Sequence, residues 1–498
     1  MKQLYLHDPD AYDLCFQWAA SKSETPVAGG SAEERAGCFA LAGSGNFSPV
    51  HSQPTSAMTE VHNSPSPSAF DAHHPPAREI IDKCVHCGFC LPACPTYVLW
   101  GEEMDSPRGR IYLMKLAAEG TVQINPTWVS HFDSCLGCVS CMTACPSGVD
   151  YGKLIEATRA QIERNVERTP EEKRHRRFLF ERFTHPGRLR SMRTQLFAYQ
   201  KSGLQFLARR FGIVRMLPKR WQTMEALLPK LAPQETVPEY TRAVGTKRRR
   251  VGLLLGCVQR EFFSQVNAAT VRVLAAEGCE VVAPGEQGCC GALLVHAGEE
   301  AAAVGFAKKM IDLFEQATVD VIVTNAAGCG SHVKEYAHLL RDDPSYAARA
   351  RKFAAKCKDV SEVLAELEPR APRQPLKLRV AFHDSCHLQH AQGVRAQPRA
   401  LLSRIPGLEL AEIPEPALCC GSAGIYNLVQ PDTARELGDR KAQHIAGLNA
   451  DVVATGNPGC VLQLQSSLAR LQQKTPVVHT IQLLDASLRG ATPDFLRS

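Results

Sequence analysis

Two cysteine runs of one form, Cys84-x2-Cys87-x2-Cys90-x3-Cys94-Pro95 and Cys135-x2-Cys138-x2-Cys141-x3-Cys145-Pro146, constrain this chain more than any other feature. The spacing is that of proteins that hold two [4Fe–4S] clusters. A cubane needs four thiolates converging on four irons. The x2, x2 turns bring three sulfurs from one loop to three corners, and the fourth cysteine of each run serves the other cluster. The expected ligand sets are therefore Cys84, Cys87, Cys90 and Cys145 for one cluster, and Cys135, Cys138, Cys141 and Cys94 for the second. Pro95 and Pro146 are expected to stop the local turn, because proline cannot continue a helix through the ligand. Zinc also takes four-cysteine sites, but zinc pairs usually read C-x2-C … C-x2-C. Three closely spaced cysteines followed by Cys-Pro, twice over, favour iron–sulfur.

The chain has 498 residues, enough for two to four domains. Its 44% hydrophobic and 22% charged content is ordinary for a soluble globular protein. Residues 1–30 lack a basic region followed by an apolar core, so no secretory signal is expected. The 20 cysteines then read as metal ligands in a reducing cytoplasm, not as a disulfide framework. No apolar run reaches membrane-spanning length, so any membrane association is expected to be peripheral, at the inner face. The net charge of +6 lies in patches, at Lys247–Arg250 and across residues 172–193. Few aromatics interleave these patches and no nucleic-acid module appears, which leaves a solvated linker or a docking surface for an acidic partner.

Residues 1–74, rich in Ser, Ala, Pro and Gly, are expected to form a disordered low-complexity extension, and Met58 offers a second start that would make 1–57 dispensable. Residues 75–155 are the two-cluster unit, with a helix entered at Pro107 and Gly109 in which Ile111, Met114 and Leu116 are partly buried. Residues 156–246 read as a helical basic linker with breaks at Pro186, Pro218 and Pro229. The remainder is an internal repeat, 247–375 and 376–498. Cys257, Cys289-Cys290-Gly291 and Cys329 recur as Cys386, Cys419-Cys420-Gly421 and Cys460, offset by about 130 residues throughout. Apolar runs at 251–255, 321–324, 380–382 and 452–455 read as strands that end just before Cys257, Cys329, Cys386 and Cys460, with helices at 264–276, 299–316 and 432–448 between them. Alternating strands and helices imply parallel α/β layers, whose ligands sit beyond the carboxyl ends of strands. Gly291 and Gly421 are expected to permit a sharp turn after two adjacent ligands. The fold class is thus multidomain α+β, a dicluster ferredoxin-like helical domain followed by two repeated α/β cysteine-rich lobes.

A doubled ferredoxin run followed by two Cys…Cys-Cys-Gly…Cys repeats resembles the iron–sulfur subunit of bacterial glycolate oxidase, from about residue 78 to the C-terminus. The similarity is concentrated in residues 84–90, in Ser106-Pro107-Arg108-Gly109-Arg110-Ile111-Tyr112, in residues 383–393 (His-Asp-Ser-Cys-His-Leu-Gln-His-Ala-Gln-Gly), and in 419–427. The wider family includes lactate-utilisation subunits, the C subunit of anaerobic glycerol-3-phosphate dehydrogenase and the Cys-Cys-Gly subunit of heterodisulfide reductase. The resemblance implies an electron relay that contributes no acid, base or nucleophile. FAD-containing partner subunits would oxidise glycolate to glyoxylate, because hydride removal needs an organic cofactor. A quinone or other acceptor would take the electrons. The chain shows no G-x-G-x-x-G after a strand and no P-loop.

One departure bears on the repeats. Heterodisulfide-reductase repeats of the cluster-binding kind end in C-x2-C and offer five cysteines, whereas these end Cys329-Gly330-Ser331-His332 and Cys460-Val461-Leu462-Gln463. Cys257, Cys289, Cys290 and Cys329, and Cys386, Cys419, Cys420 and Cys460, are therefore candidates for two further clusters, with zinc or no metal as alternatives. His332 is a candidate extra ligand. It and His383, His387 and His390 otherwise read as hydrogen-bonded histidines. Cys279 and Cys357 read as buried or free thiols, and Cys15 and Cys38 carry no metal-ligand spacing. A thiol–disulfide or heterodisulfide reductase, and a scaffold that only assembles a complex, are the rival readings.

Overall fold

The computed structural model describes residues 2–7, 13–18 and 67–493. Strands β1 (Lys2–His7) and β2 (Asp13–Trp18) pair antiparallel, with Tyr5 opposite Cys15, so these two segments depart from the disorder expected across 1–74. The rest of that expectation, with Cys38 and Met58, lies outside the described residues up to position 66. From 67 to 74 the expectation is corrected outright. Phe70 is buried edge-on against Trp128 at 6.0 Å. Arg164 and Asn165 donate to the Asp71 carboxylate and hold it well below the usual carboxylate range. Burial of one aromatic and a fully engaged carboxylate order this short polar stretch.

The helix Pro107–Ala118 forms as expected, capped by the Ser106 hydroxyl, and buries Ile111, Met114 and Ala117. Leu116 is partly buried as expected, one residue off the core-facing stripe, while Ile111 and Met114 are buried more deeply than expected. The unit's core joins these side chains to Trp128, Phe132, Leu154, Ile155 and Ile162. The last three lie on one helix, Tyr151–Asn165, so the expected boundary at 155 cuts a helix whose buried face belongs to this unit throughout. The unit extends to about residue 165 because a helix cannot bury half its stripe.

The linker begins with Pro170–Phe183, whose Thr169 and Glu172 form a capping box. Pro186 opens the next helix, Pro186–Lys201, in place of breaking one, as suits a residue with a fixed φ and no N–H. Leu179 and Leu189 anchor these two helices in a core shared with the first repeat. The three helices that follow, Leu204–Arg210, Ile213–Met216 and Lys219–Ala226, bury no residue.

The repeat is visible in the topology. Strands β3 (Tyr240–Thr241), β4 (Arg249–Leu254), β5 (Cys279–Val282), β6 (Val321–Thr324) and β7 (Cys357–Asp359) form one sheet in the order β3-β5-β4-β6-β7. Strands β8 (Leu378–His383), β9 (Leu408–Glu412), β10 (Val452–Thr455) and β11 (Val477–His479) form the second, β9-β8-β10-β11. Apart from the antiparallel β3, every pairing is parallel, and both sheets follow the same 2-1-3-4 order. The first repeat starts earlier than residue 247, since β3 already belongs to its sheet. The two lobes share one hydrophobic core, in which helix Ser264–Ala276 packs against Thr480–Arg489. Cys279 and Cys357 are buried strand residues within the repeat cores.

Candidate metal centres

The two ferredoxin runs fold into the same loop. In each, the second and fourth residues after the first cysteine have left-handed backbone: His86 (φ 52°) and Gly88 (φ 85°), then Gly137 (φ 64°) and Val139 (φ 52°). That alternation curls three thiols toward one point. A β-branched valine in this region is strained by about 1–3 kcal/mol, which the surrounding packing must offset. Cys94 and Cys145 reach the sites differently. Cys145 ends the short helix Ser140–Ala144 and Pro146 follows it, whereas Cys94 is the N-cap of Pro95–Trp100, so Pro95 starts a helix and does not end a turn.

One cavity is lined by Cys84, Cys87, Cys90 and Cys145, and a neighbouring one by Cys94, Cys135, Cys138 and Cys141. Cys141 borders both. The sequence-derived quartets are thus brought together, each as three cysteines of one run plus the fourth of the other. The first lies nearer solvent, with Cys87 exposed, whereas all four cysteines of the second, Cys94, Cys135, Cys138 and Cys141, are buried. Burial pushes the thiols of Cys84, Cys138 and Cys141 up and that of Cys90 up to about 11, so a metal would have to displace their protons. Cys135 is the exception. Burial would raise it, but the Arg110 and Arg159 guanidiniums outweigh that and lower it.

Arg110 is a site residue that sequence reasoning passed over, reading its helix only for apolar spacing. Its side chain is 1% exposed and lies 4.0 Å from Cys94 Sγ. It pairs with Asp105 at 3.0 Å and donates to the His131 carbonyl at 2.6 Å and to the Ser134 and Thr96 hydroxyls. A fixed cation in this dry pocket favours the Cys135 thiolate and would offset the charge of further thiolates formed on metal binding.

In each repeat four thiols converge at the strand ends. Cys257 follows β4 and Cys329 follows β6, adjacent strands that bound the switch point of a 2-1-3-4 sheet, where such folds place ligands. The Cys289-Cys290 pair closes over them, with Cys257 and Cys289 sulfurs 3.6 Å apart. Hydrogen bonds from Cys289 and Cys329 hold the Cys290 thiol well below its ordinary range. The second repeat repeats this with Cys386 and Cys419 sulfurs 4.0 Å apart, and Cys386 and Cys420 holding Cys419 low. Seven of these eight cysteines are buried and Cys329 is half-buried; quartets that favour a thiolate suit a cation, and the donor sets fit soft metal coordination.

Both Cys-Cys-Gly turns need their glycine, but not equally. Gly291 (φ 92°) would place a Cβ 3.4 Å from its neighbours, whereas at Gly421 (φ 88°) a Cβ would lie 2.5 Å from the Ala434 carbonyl oxygen. Gly421→Ala is therefore expected to lose roughly 1–3 kcal/mol of stability from backbone strain, plus the clash, and more than Gly291→Ala loses. Unfolding midpoints of the two variants measure this, and equal midpoints would refute the ranking.

The candidate extra ligand, His332, is buried beside Cys290, and its Nε2 has no hydrogen-bond partner among the described residues. His383 bonds Thr455 through Nδ1, and His390 sits between Thr143 at 2.7 Å and the Ala417 carbonyl at 3.2 Å. His387 Nδ1 lies 3.6 Å from Cys386 Sγ. A residue without any sequence signal, His296, lies tilted at 35° to His387 with ring centres 4.9 Å apart and edge-on to His332 at 6.2 Å, and Glu156 holds its Nδ1 at 2.9 Å. Histidine rings thus bridge the two repeat sites. The second repeat site in turn abuts the ferredoxin unit: Cys138 and Leu136 pack with Cys386 and Cys419, and Tyr426 donates to the Ser134 carbonyl at 3.0 Å. The quartets therefore stand in succession, from Cys84 through Cys138 and Cys419 to Cys290. Alongside lies a cavity of about 570 Å³, whose wall includes Leu136, Gly137, His296, His387, Tyr426 and residues of the linker.

Family models match three parts of the chain: a 4Fe-4S dicluster domain at 80–149, the linker region of the glycolate oxidase iron-sulfur subunit at 171–228, and a cysteine-rich domain at 251–334 and 380–465. A Bacillus subtilis protein described as a probable glycolate oxidase iron-sulfur subunit is 40% identical over 411 residues, which is 81% of this chain and 93% of that protein. The Escherichia coli glycolate oxidase iron-sulfur subunit is 38% identical over 83% of this chain and 95% of its own length. Lactate utilization protein A of Geobacillus kaustophilus is 32% identical over 48% of this chain and 99% of its own.

Proposed function

The chain belongs to the family of glycolate oxidase iron–sulfur subunits, and from that membership we propose that it relays electrons from a partner that oxidises glycolate to glyoxylate. It is an iron–sulfur electron-transfer subunit. The finer reading gives Cys84, Cys87, Cys90 and Cys145 one [4Fe–4S] cluster and Cys94, Cys135, Cys138 and Cys141 a second, with further clusters at the two repeat quartets. An FAD-containing subunit would accept the hydride, and a quinone or other acceptor would receive the electrons. Bound clusters would supply one-electron steps between these two-electron partners. The chain's own residues hold the thiolates, keep water from the second quartet, and set Arg110 beside it as a fixed positive charge. On this reading the chain supplies no acid, base or nucleophile.

The observation that carries the proposal is the unbroken succession of four thiol quartets, each beside the next or joined to it by histidine rings. Such a series suits single electrons passed from one centre to the next. No helix among the described residues is long and apolar enough to cross a membrane. The reading places the protein in the cytoplasm, peripherally at the inner face of the membrane. Identity to lactate utilization protein A favours lactate as a second substrate reading.

The native complex, purified through this chain and assayed by dye reduction over a panel of 2-hydroxy acids, is expected to turn over glycolate fastest. Strong turnover of lactate or glycerol 3-phosphate with none of glycolate would overturn the substrate. Disulfide reduction by the isolated chain would overturn the relay.

A further inference from the structure

We propose that the linker helices spanning residues 201–224 form a membrane-docking face that lies in the headgroup region of an anionic bilayer. The proposal rests on the peripheral-membrane reading above and names the surface that would carry it. Between Arg182 and Met224 the chain has ten Lys and Arg and no Asp or Glu, although the whole protein nets only +6. The remainder is thus net acidic and the linker is its cationic pole.

The same segment carries much of the apolar exposure among the described residues. Of the large hydrophobic side chains exposed among the described residues, most lie between 204 and 221. Phe206 is 69% exposed, Phe211 72% and Met216 85%, joined by Leu204, Ile213 and Trp221. The helices Leu204–Arg210, Ile213–Met216 and Lys219–Ala226 pack in sequence, turned by Gly203 and Gly212 in left-handed conformation, and none buries a residue. Met224 reaches the core shared with the first repeat and Trp221 touches Phe178 at 5.5 Å, but the exposed apolar side chains of the first two helices have no such cover and suit another apolar phase. Lys201, Arg209, Arg210, Arg215 and Lys219 are exposed among the aromatics.

Aromatic and aliphatic side chains interleaved with Lys and Arg are the pattern of helices that lie in a membrane interface. Charge complementarity points to anionic lipid, because clustered basic side chains are attracted to the negative surface of such a bilayer. A protein partner would be expected to meet a core depleted of charge, which this patch is not. A second observation agrees. Pro218, Lys219 and Arg220, at the edge of the patch, form part of the wall of the cavity that also touches Leu136, Gly137 and His387. Docking by this face sets that cavity beside the bilayer, where a lipid-soluble acceptor resides.

Vesicle flotation of the native complex tests the proposal, using phosphatidylglycerol-containing and pure phosphatidylcholine vesicles. Wild type is expected to float with the anionic vesicles, less so as salt rises, and weakly or not at all with the neutral ones. The variant Phe206→Ser/Phe211→Ser/Met216→Ser and the variant Arg210→Gln/Arg215→Gln are each expected to weaken flotation about tenfold or more. Both should keep wild-type iron content and dye-linked turnover, since these side chains lie outside the candidate metal centres. Flotation equal to wild type in both variants would overturn the proposal, as would failure of the wild type to float. Loss of the partner subunits on purification of either variant would reassign the patch to a protein interface. Because flotation needs no substrate, its outcome is independent of whether glycolate is oxidised.

Discussion

Cys138→Ala is expected to stop glycolate-driven reduction of the terminal acceptor while the partner's reduction of small dyes continues. Cys138 lines the second ferredoxin cavity and belongs to one buried cluster with Cys386 and Cys419 of the second repeat. It stands at the joint between the two halves of the relay. Removing its thiolate leaves three of four ligands in a buried pocket. The expected chemical readout is a loss of about four irons per chain, with the first-quartet cluster retained. Because the metal's binding energy is also folding energy, the variant should unfold more readily as well. Cys87→Ala makes the comparison. Cys87 is exposed at the outer quartet, so its loss should remove a cluster without disturbing the contact with the repeats. Acceptor reduction by Cys138→Ala at the wild-type rate would show that electrons do not cross this joint.

The second large effect concerns the repeats. With only the ferredoxin quartets filled, the chain would hold about eight irons and eight sulfides. The wild-type protein, isolated without air, is expected to hold well above that. The double variant Cys290→Ala/Cys420→Ala is expected to fall to about eight, with the ferredoxin clusters' spectroscopic signature intact. Each substituted cysteine touches two others of its quartet, and the neighbours of Cys290 hold its thiol well below the ordinary range. Neither residue contributes to the ferredoxin cavities. Wild-type iron near eight, or zinc at these positions, would reduce the repeats to a structural role.

Much of this was legible one residue at a time. The strands at 321–324 and 452–455 and the helix at 264–276 fall where apolar runs and periodicity place them. The 130-residue register reappears as two sheets of identical strand order. The misplaced boundaries share a cause. Residues 67–74 are ordered, and the first unit continues to 165, because Phe70 and Ile162 find distant apolar partners that composition does not record. Arg110 was overlooked for the same reason, since a basic residue on a helix gives no sign that it will be buried beside a thiol.

The sequence by itself determined which atoms could bind metal and how they group. Ligand type and short spacing are local properties, and a cysteine triplet curls into a cluster loop wherever it sits, as the matching backbone of the two runs shows. Only the tertiary structure decided the order of the sites. Tyr426 reaching Ser134 and Arg159 reaching the His296 carbonyl at 2.8 Å dock the ferredoxin unit on both repeats. That docking brings Cys138 to Cys419 across some 280 positions of chain and lines His296 up between the repeat sites. Electron transfer depends on proximity in space, and proximity between distant segments comes from packing and burial, which no local pattern encodes.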